Sequence, residues 1–268
     1  MPEYIHGSSR TERDRLALMN RLINPGCLDA LRLGSERRVL DMGSGTGLFS
    51  LEMANSLDAK ARVTGIEYDP EQLRSARKLV SEAATLEFRE GDAARPPLAD
   101  EEWGQFDLAH SRFLLEHVPH PESIVEAMVR AVRPGGRVVL LDDDHDVMRL
   151  WPEPAGFRPL WQAYYRAYRP LGNDPLIGRK LPELLSHAGA RPTRITQVFY
   201  GGCSGPAHFD GIIENLVGVL EGSRDTVLKN GEFSAGEFDE SLKNFRSFGK
   251  QPDAALWYVI NYAEGKVE

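Results

Sequence analysis

Three glycines at alternating positions follow a short apolar segment in the sequence VLDMGSGTGLFS, residues 39–50. Gly43, Gly45 and Gly47 leave the backbone open, so that a ligand can approach its N–H groups closely where a helix begins. The carboxylate of Asp41 stands two residues before the first glycine. The pattern predicts a ligand site at a strand-to-helix turn, beside a negative charge.

The residues of this turn distinguish between three classes of ligand. A P-loop requires Lys and then Ser or Thr after its last glycine, and the turn contains neither Lys nor Arg. A dinucleotide loop reads GxGxxG, whereas this turn reads GxGxG, and the charge of Asp41 would repel a pyrophosphate. S-adenosylmethionine carries an ammonium and a sulfonium and no phosphate, so its charge suits the turn.

Two further carboxylates follow the next predicted strands. Glu67 ends the second strand, and Asp92, in EGDA, follows the third. In an open α/β sheet these positions lie at the ligand-binding edge, where Glu67 can accept both ribose hydroxyls and Asp92 can accept from the adenine amino group. Either residue alone is typical of a solvated turn. Their order along the chain favours a shared site.

The segment DDDHD follows the fifth predicted strand and contains a candidate general base, His145. An imidazole suits proton transfer near neutral pH, and Asp144 and Asp146 could raise its pKa and orient the ring. A solvated acidic turn with a bystander His stays open as the alternative. We expect no metal, because consecutive side chains point in opposite directions along a strand. His117 and His120 are weaker candidates.

Strands alternating with helices must position these residues. The pattern predicts five strands and three helices, and Asp69 is a candidate N-cap with Pro70 in the first turn. The strands are RRVLDMG, ARVTGIEYD, TLEFREGDA, FDLAHSR and GRVVLLDDD; the helices are GLFSLEMANSL, PEQLRSARKLVSEA and PESIVEAMVRAV. Such alternation predicts an α/β fold with a doubly wound, mostly parallel sheet.

The flanking segments are predicted to be helical, with two late strands. Residues 10–33 have helical periodicity with a break near NPG. RPTRITQVFYGG and ALWYVINYAEGK read as antiparallel strands that complete the same sheet. HFDGIIENLVGVLEG and AGEFDESLKNFRSF read as helices.

The aromatic segment FRPLWQAYYRAY follows the fifth strand. Core packing is the usual reason for such a stripe, but its position predicts a ring-lined substrate pocket. Its rings are Phe157, Trp161, Tyr164, Tyr165 and Tyr168. FYGGCSG and HFDGIIENLVGVL are expected to supply the opposite wall.

Composition limits the class of protein. The chain has 268 residues, a formal net charge of −8 and a pI near 5.5, which oppose nucleic-acid binding. Cys27 and Cys203 lack metal or disulfide spacing and are expected to be small buried hydrophobes. The polar N-terminus and the lack of a long apolar segment predict a soluble cytoplasmic protein.

Five segments resemble the successive motifs of class I S-adenosylmethionine-dependent methyltransferases: VLDMGSGTG, GIEYDPEQL, EGDA, FDLAHSRFLLEHV and RPGGRVVLLD. EYIHGSSRTERDRLALMN and DPLIGRKLPELLSHAGA resemble a small-molecule subgroup that includes bacterial natural-product enzymes. The resemblance implies a seven-stranded Rossmann-like sheet. It divides the chain into an N-terminal helical segment that closes over the cofactor (1–36), a cofactor-binding core (37–146), and cap helices with the last two strands (147–268).

The resemblance also implies which residues hold the cofactor. Asp41 and the loop glycines hold its methionine portion, while Arg112 contacts its carboxylate or the substrate, unless Arg112 is a surface helix cap. The implied set is Tyr4, Asp41, Gly43, Ser44, Gly45, Glu67, Tyr68, Asp92, Ala93 and Arg112, with Gly7 as a further residue.

We therefore predict a methyltransferase that uses S-adenosylmethionine, releases S-adenosylhomocysteine, and methylates O or N of a small apolar or aromatic metabolite. An NAD(P)-dependent oxidoreductase and a non-catalytic cofactor-binding homologue are the alternatives. The expected partner is a small-molecule substrate, with neither nucleic acid nor membrane, and a homodimer is left open.

Overall fold

A computed structural model describes residues 10–81, 85–231 and 233–268, so the predicted Tyr4 and Gly7 contacts lie outside the described residues. The helices are α1 (Arg10–Leu31), α2 (Leu48–Ser56), α3 (Pro70–Lys78), α4 (Pro121–Ala131), α5 (Phe157–Arg166), α6 (Leu181–His187), α7 (Ala207–Gly222), α8 (Arg224–Lys229) and α9 (Ala235–Phe248). The strands are β1 (Arg38–Met42), β2 (Arg62–Glu67), β3 (Leu86–Glu90), β4 (Phe106–Arg112), β5 (Val132–Asp142), β6 (Arg149–Trp151), β7 (Ala190–Phe199), β8 (Gly202–Cys203), β9 (Ala255–Trp257) and β10 (Val259–Val267).

The main sheet has seven strands in the order β3-β2-β1-β4-β5-β10-β7. β1 to β5 are parallel, and β10 runs antiparallel between β5 and β7. Helices cover both faces, which explains why Val39, Leu40 and Met42 of β1 are all fully buried. The predicted seven-stranded, mostly parallel α/β sheet is confirmed.

Local chemistry explains the two helix starts nearest the site. The side chain of Asp69 accepts hydrogen bonds from the backbone N–H groups of Glu71 and Gln72, with Pro70 in the first turn, as predicted. α2 begins after Gly47, whose φ of 78° is left-handed. A Cβ there would lie 2.5 Å from Cζ of Phe88, so only glycine fits.

α1 differs from the prediction because it continues through Pro25 without a break. Proline removes one backbone donor, and the packing of the helix compensates for that loss. Ile23, Cys27 and Leu31 are buried in the core. A Cβ at Gly26 would lie 2.9 Å from Cγ1 of Val198, so the helix lies close against β7 at this turn.

A second, three-stranded sheet in the order β6-β9-β8 was not predicted. The last predicted strand is in fact two strands, because the chain leaves β9 at Tyr258 and enters the main sheet as β10. Cys203 lies in β8 and is exposed, so the prediction that it is buried is wrong, whereas Cys27 is buried as expected.

Within the described parts of the chain, no helix has both the length and the apolar character that a membrane span requires.

Candidate active site

A cavity of about 840 Å³ opens at the carboxyl ends of β1 to β5. Nine of the ten residues predicted to bind cofactor line it, and so does the predicted base, His145. These nine are Asp41, Gly43, Ser44, Gly45, Glu67, Tyr68, Asp92, Ala93 and Arg112. The fold therefore gathers residues from the ends of five successive strands around one space.

The glycine loop borders one end of this cavity. Gly43 and Gly45 have left-handed φ values of 69° and 58°. The N–H groups of Gly43 and Ser44 donate to the carbonyl of Ile66, which holds the loop against β2. A Cβ at Gly43 would lie 2.9 Å from the side chain of Leu114, so the loop needs glycine at this position.

Both oxygens of Asp41 already have partners inside the protein. Oδ1 lies 2.8 Å from Nδ1 of His110, and Oδ2 accepts a 2.5 Å hydrogen bond from Ser50. His110 was not predicted. Its Nε2 is buried without a hydrogen-bond partner among the described residues, and the ring lines the cavity. In the tautomer whose Nδ1 donates to this carboxylate, Nε2 has a lone pair that faces the cavity.

The side chain of Glu67 binds the backbone of the glycine loop and of the turn after β2. Its carboxylate accepts from the backbone N–H groups of Gly45 at 2.7 Å, Tyr68 at 2.9 Å and Asp69 at 2.8 Å. Burial raises the pKa of Glu67, while these three N–H groups act in the opposite direction. The acid predicted to hold a ribose thus also fixes the backbone around it.

Asp92 and Tyr68 are the more accessible members of the predicted set. The Asp92 carboxylate accepts from the N–H of Ala94 at 2.9 Å and leaves its other oxygen near Arg95. The ring of Tyr68 is 54% exposed beside the cavity. Both side chains therefore remain accessible to a ligand.

Arg112 is partly buried and joins β4 to α1, so the alternative of a surface helix cap is wrong. Its guanidinium donates to Oδ1 of Asn24 at 2.8 Å and to Oδ1 of Asn20 at 2.7 Å. It also lies 4.2 Å from the ring centroid of Phe49. Arg112 therefore holds α1 against the end of the cavity that the glycine loop borders.

Aromatic rings surround the other end. Of the predicted rings, Trp161, Tyr164 and Tyr168 line the cavity. Phe157 and Tyr165 do not, since Phe157 packs on Phe245 with ring centroids 4.6 Å apart. The predicted opposite wall is present, and its lining residues are Tyr200, Asn215, Leu216 and Val219.

His145 is buried, and its neighbours are not those predicted. Its Nε2 lies 2.9 Å from Oε2 of Glu116, and its Nδ1 lies 3.0 Å from the hydroxyl of Tyr258. That hydroxyl donates to Oδ1 of Asp143 at 2.8 Å. Asp144 instead forms a two-pronged ion pair with Arg179.

Burial dominates the ionisation of this group. It raises the pKa of Glu116 to about 8 and that of Asp143 to about 7. It lowers the pKa of His145, so the predicted rise is wrong. The pKa of His117 falls to about 3 for the same reason. The two histidines are therefore neutral, and the carboxyls titrate near neutral pH.

The sequence did not predict three further members of this group, because they come from three distant segments. They are Glu116, Asp143 and Tyr258. The donor atoms of Glu116, Asp143 and His145 lie within 4.8 Å of one another. Both nitrogens of His145 and one oxygen of Asp143 are already hydrogen-bonded within the group. We therefore describe the cluster as a hydrogen-bonded network.

Comparison with known proteins gives the class that the sequence predicts, that of the methyltransferases. Residues 40–140 match a family model described as a methyltransferase domain. A ubiquinone biosynthesis O-methyltransferase of Paracidovorax citrulli is 39% identical over 119 residues, which are 43% of this chain and 49% of that protein. A demethylmenaquinone methyltransferase of Desulfitobacterium hafniense is 28% identical over 179 residues, which are 63% of this chain and 67% of that protein. The chain spans about half the length of the first of these two relatives.

Solved structures share the fold. The crystal structure of a candidate methyltransferase from Bacillus halodurans aligns with a TM-score of 0.57 and 18% identity, over 91% of this chain and 98% of that one. Two other solved structures with this fold are complexes with S-adenosylhomocysteine and with S-adenosylmethionine. Residues 40–140 therefore form a methyltransferase domain, and the chain has the fold of class I S-adenosylmethionine-dependent methyltransferases. The predicted class and cofactor are confirmed.

Proposed function

We propose that this protein transfers the methyl group of S-adenosylmethionine to O or N of a small apolar or aromatic metabolite. The observation that carries the proposal is the continuity of the cavity. The glycine loop borders the same space as Trp161, Tyr164 and Tyr168. A cofactor at the loop would therefore face an acceptor held among the rings.

The residues at the loop fit this cofactor. Glycines with left-handed φ allow the close approach of an amino-acid portion, and Asp41 and Glu67 suit its positive charge. Nε2 of His110 can accept from an ammonium group. We assign the ribose to Glu67, the adenine to Asp92 with Tyr68 and Ala93 beside it, and the methionine portion to the loop and Arg112.

The chain's main contribution to the reaction is alignment in a dry site. S-adenosylmethionine supplies an electrophilic methyl group, and holding the acceptor in line with it can contribute about 7–11 kcal/mol. The aromatic rings exclude water and orient a flat acceptor. The names of the ubiquinone and menaquinone relatives support a quinol or phenol as the acceptor.

The remaining assignments are part of the same proposal. We place the N-terminal segment 1–36 over the cofactor, with the cap in 147–268 around the acceptor. The acidic net charge supports a small-molecule substrate over nucleic acid. We propose a cytoplasmic protein without a membrane partner, and a homodimer as its testable assembly.

Calorimetry and product detection test the function. We expect the protein to bind S-adenosylmethionine and not NAD, and to release S-adenosylhomocysteine with at least one member of a panel of catechols, quinols and aromatic amines. Binding of NAD alone would favour the oxidoreductase alternative. Cofactor binding without product across the panel would favour the non-catalytic one. The matched control is Asp146→Asn, because this substitution changes an exposed side chain that is paired with Arg179.

A further inference from the structure

Four side chains at the acceptor end form a continuous series of hydrogen bonds, here called the relay. It runs from Oε2 of Glu116 to Nε2 of His145 at 2.9 Å, from Nδ1 of His145 to the hydroxyl of Tyr258 at 3.0 Å, and from that hydroxyl to Oδ1 of Asp143 at 2.8 Å. All four residues line the cavity. A carboxyl group thus stands at each end of the relay.

The number of hydrogens constrains the relay. Three hydrogen bonds need three hydrogens, of which neutral His145 and Tyr258 supply one each, so the third belongs to a carboxyl group. Tyr258 has only one hydrogen to donate, which couples the two ends. If Glu116 holds the shared proton, His145 donates to Tyr258, and Tyr258 donates to ionised Asp143. If Asp143 holds it, every donor reverses and Glu116 is ionised.

Burial distinguishes these two arrangements. Both carboxyls border the cavity, but Glu116 is 3% exposed, whereas Asp143 is only partly buried. A buried carboxyl is the more strongly driven to its neutral form. Burial raises the pKa of both carboxyls, to about 8 for Glu116 and to about 7 for Asp143. The third arrangement, with imidazolium between two carboxylates, is opposed by the lowered pKa of His145.

We propose that Asp143 accepts the proton of the methyl acceptor, and that Tyr258 and His145 keep Asp143 ionised by holding the shared proton on Glu116. This inference rests on the proposed function. The acceptor oxygen or nitrogen forms the new bond to carbon, sulfur keeps the electron pair of the broken bond, and the acceptor's proton moves to Asp143. Asp143 is then the catalytic residue, while His145, predicted as the base, is a positioning residue.

Charged and titratable groups surround the relay, and several of them are already paired. Arg15 of α1 lies close to Glu116 and is itself paired with Glu12. Asp142 accepts from the backbone of Leu115, and Asp144 is paired with Arg179. The other titratable groups that face the relay include His117, Tyr164, Tyr168, Tyr200, Cys27 and Asp174, and Nε2 of His117 lies 3.3 Å from Oε1 of Glu116.

Nitrogen NMR of the full chain, labelled at histidine and saturated with S-adenosylhomocysteine, tests the relay without any acceptor. In the wild type, His145 should carry its proton on Nδ1. In Asp143→Leu, the Tyr258 hydroxyl must donate to Nδ1, so the proton of His145 should move to Nε2. In Tyr258→Phe, adding Asp143→Leu should no longer change His145. Asp146→Asn should leave the resonance unchanged.

Three results would overturn the relay. The first is a His145 tautomer that is the same in the wild type and in Asp143→Leu, and the second is an imidazolium signal at neutral pH. The third is a stoichiometric divalent metal whose removal shifts the His145 resonance. Thermal unfolding identifies any variant that fails to fold, and Tyr258→Phe, which removes one oxygen, then serves as the milder variant.

Turnover tests the catalytic part, with catechol and para-substituted phenols as probes. We expect Asp143→Asn to lower kcat on the order of 10²–10⁴-fold with little change in KM. Tyr258→Phe should retain activity but move the acid limb of the pH profile. If Asp143→Asn keeps wild-type kcat, Asp143 is not the base. If the wild type methylates no probe, the proposed acceptor class is wrong. The NMR experiment still tests the relay in that case, because it needs no acceptor.

Discussion

Nδ1 of His110 lies 2.8 Å from Oδ1 of Asp41, and this contact joins β4 to β1 directly beneath the glycine loop. The two residues are register partners in the parallel ladder. Ser50 of α2 binds the other oxygen of Asp41. One carboxylate therefore connects two strands and a helix, so that its replacement should affect both stability and ligand binding.

We expect Asp41→Ala to weaken binding of S-adenosylmethionine and to destabilise the protein by about 1–3 kcal/mol, since His110 and Ser50 lose a buried acceptor. Asp41→Asn keeps the volume and should cost less. Calorimetry and urea unfolding measure the two effects. Unchanged affinity in a folded Asp41→Ala protein would exclude Asp41 from the cofactor site.

Glu67→Ala should weaken cofactor binding by about 1–3 kcal/mol, because the change removes an acceptor of three backbone N–H groups as well as the proposed ribose ligand. Glu90→Ala is the matched control, because Glu90 ends the neighbouring strand β3 and is exposed. The assignment fails if both variants bind the cofactor as the wild type does.

Gly47→Ala and Gly104→Ala separate backbone strain from steric clash. Both glycines have left-handed φ, 78° and 67°, but a Cβ at Gly104 meets nothing within 4 Å, whereas one at Gly47 lies 2.5 Å from Phe88. We expect Gly104→Ala to destabilise by about 1–2 kcal/mol. Gly47→Ala should cost about 1–3 kcal/mol more. Equal losses in urea unfolding would contradict the close packing of the loop on β3.

Stability without ligand should fall as the pH rises through about 7 and about 8, where Asp143 and Glu116 titrate. Each has a folded-state pKa above its unfolded value, so the folded protein binds more protons and loses this advantage on ionisation. The lowered pKa of His117 acts at acidic pH, where stability is lost as the pH falls from 6.5 towards about 3. Thermal midpoints measured across this range check both signs.

Glu116→Gln provides the comparison for this pH dependence. It removes one titrating carboxyl while keeping its shape, so the decline in midpoint above neutral pH should become shallower. A wild-type protein whose midpoint rises steadily from pH 6.5 to pH 8 would show that the buried carboxyls are ionised throughout.

The cofactor half of the site is readable from sequence because its signals are local. The turn around Gly43, the carboxylates of Glu67 and Asp92, and the cap at Asp69 each stand next to the strand or helix that positions them. Their relative placement then follows from the order of parallel strands.

The acceptor half depends on contacts between distant segments. His145 and Glu116 are separated by 29 positions, and Tyr258 lies 113 positions beyond His145. No local pattern records such pairings. The strands of the second sheet have two or three residues, too short for a periodic signal. The helix through Pro25 likewise depends on packing, which outweighs the local tendency to break.

The position of β10 between β5 and β7 has a consequence for synthesis on the ribosome. In the main sheet, β7 pairs with β10. During synthesis, the backbone groups with which β7 pairs to β10 therefore stay unpaired until residues 259–267 have emerged. Tyr258 immediately precedes that strand. A nascent chain can therefore assemble the turns to which we assign the nucleoside well before it gains the hydroxyl of the proposed relay.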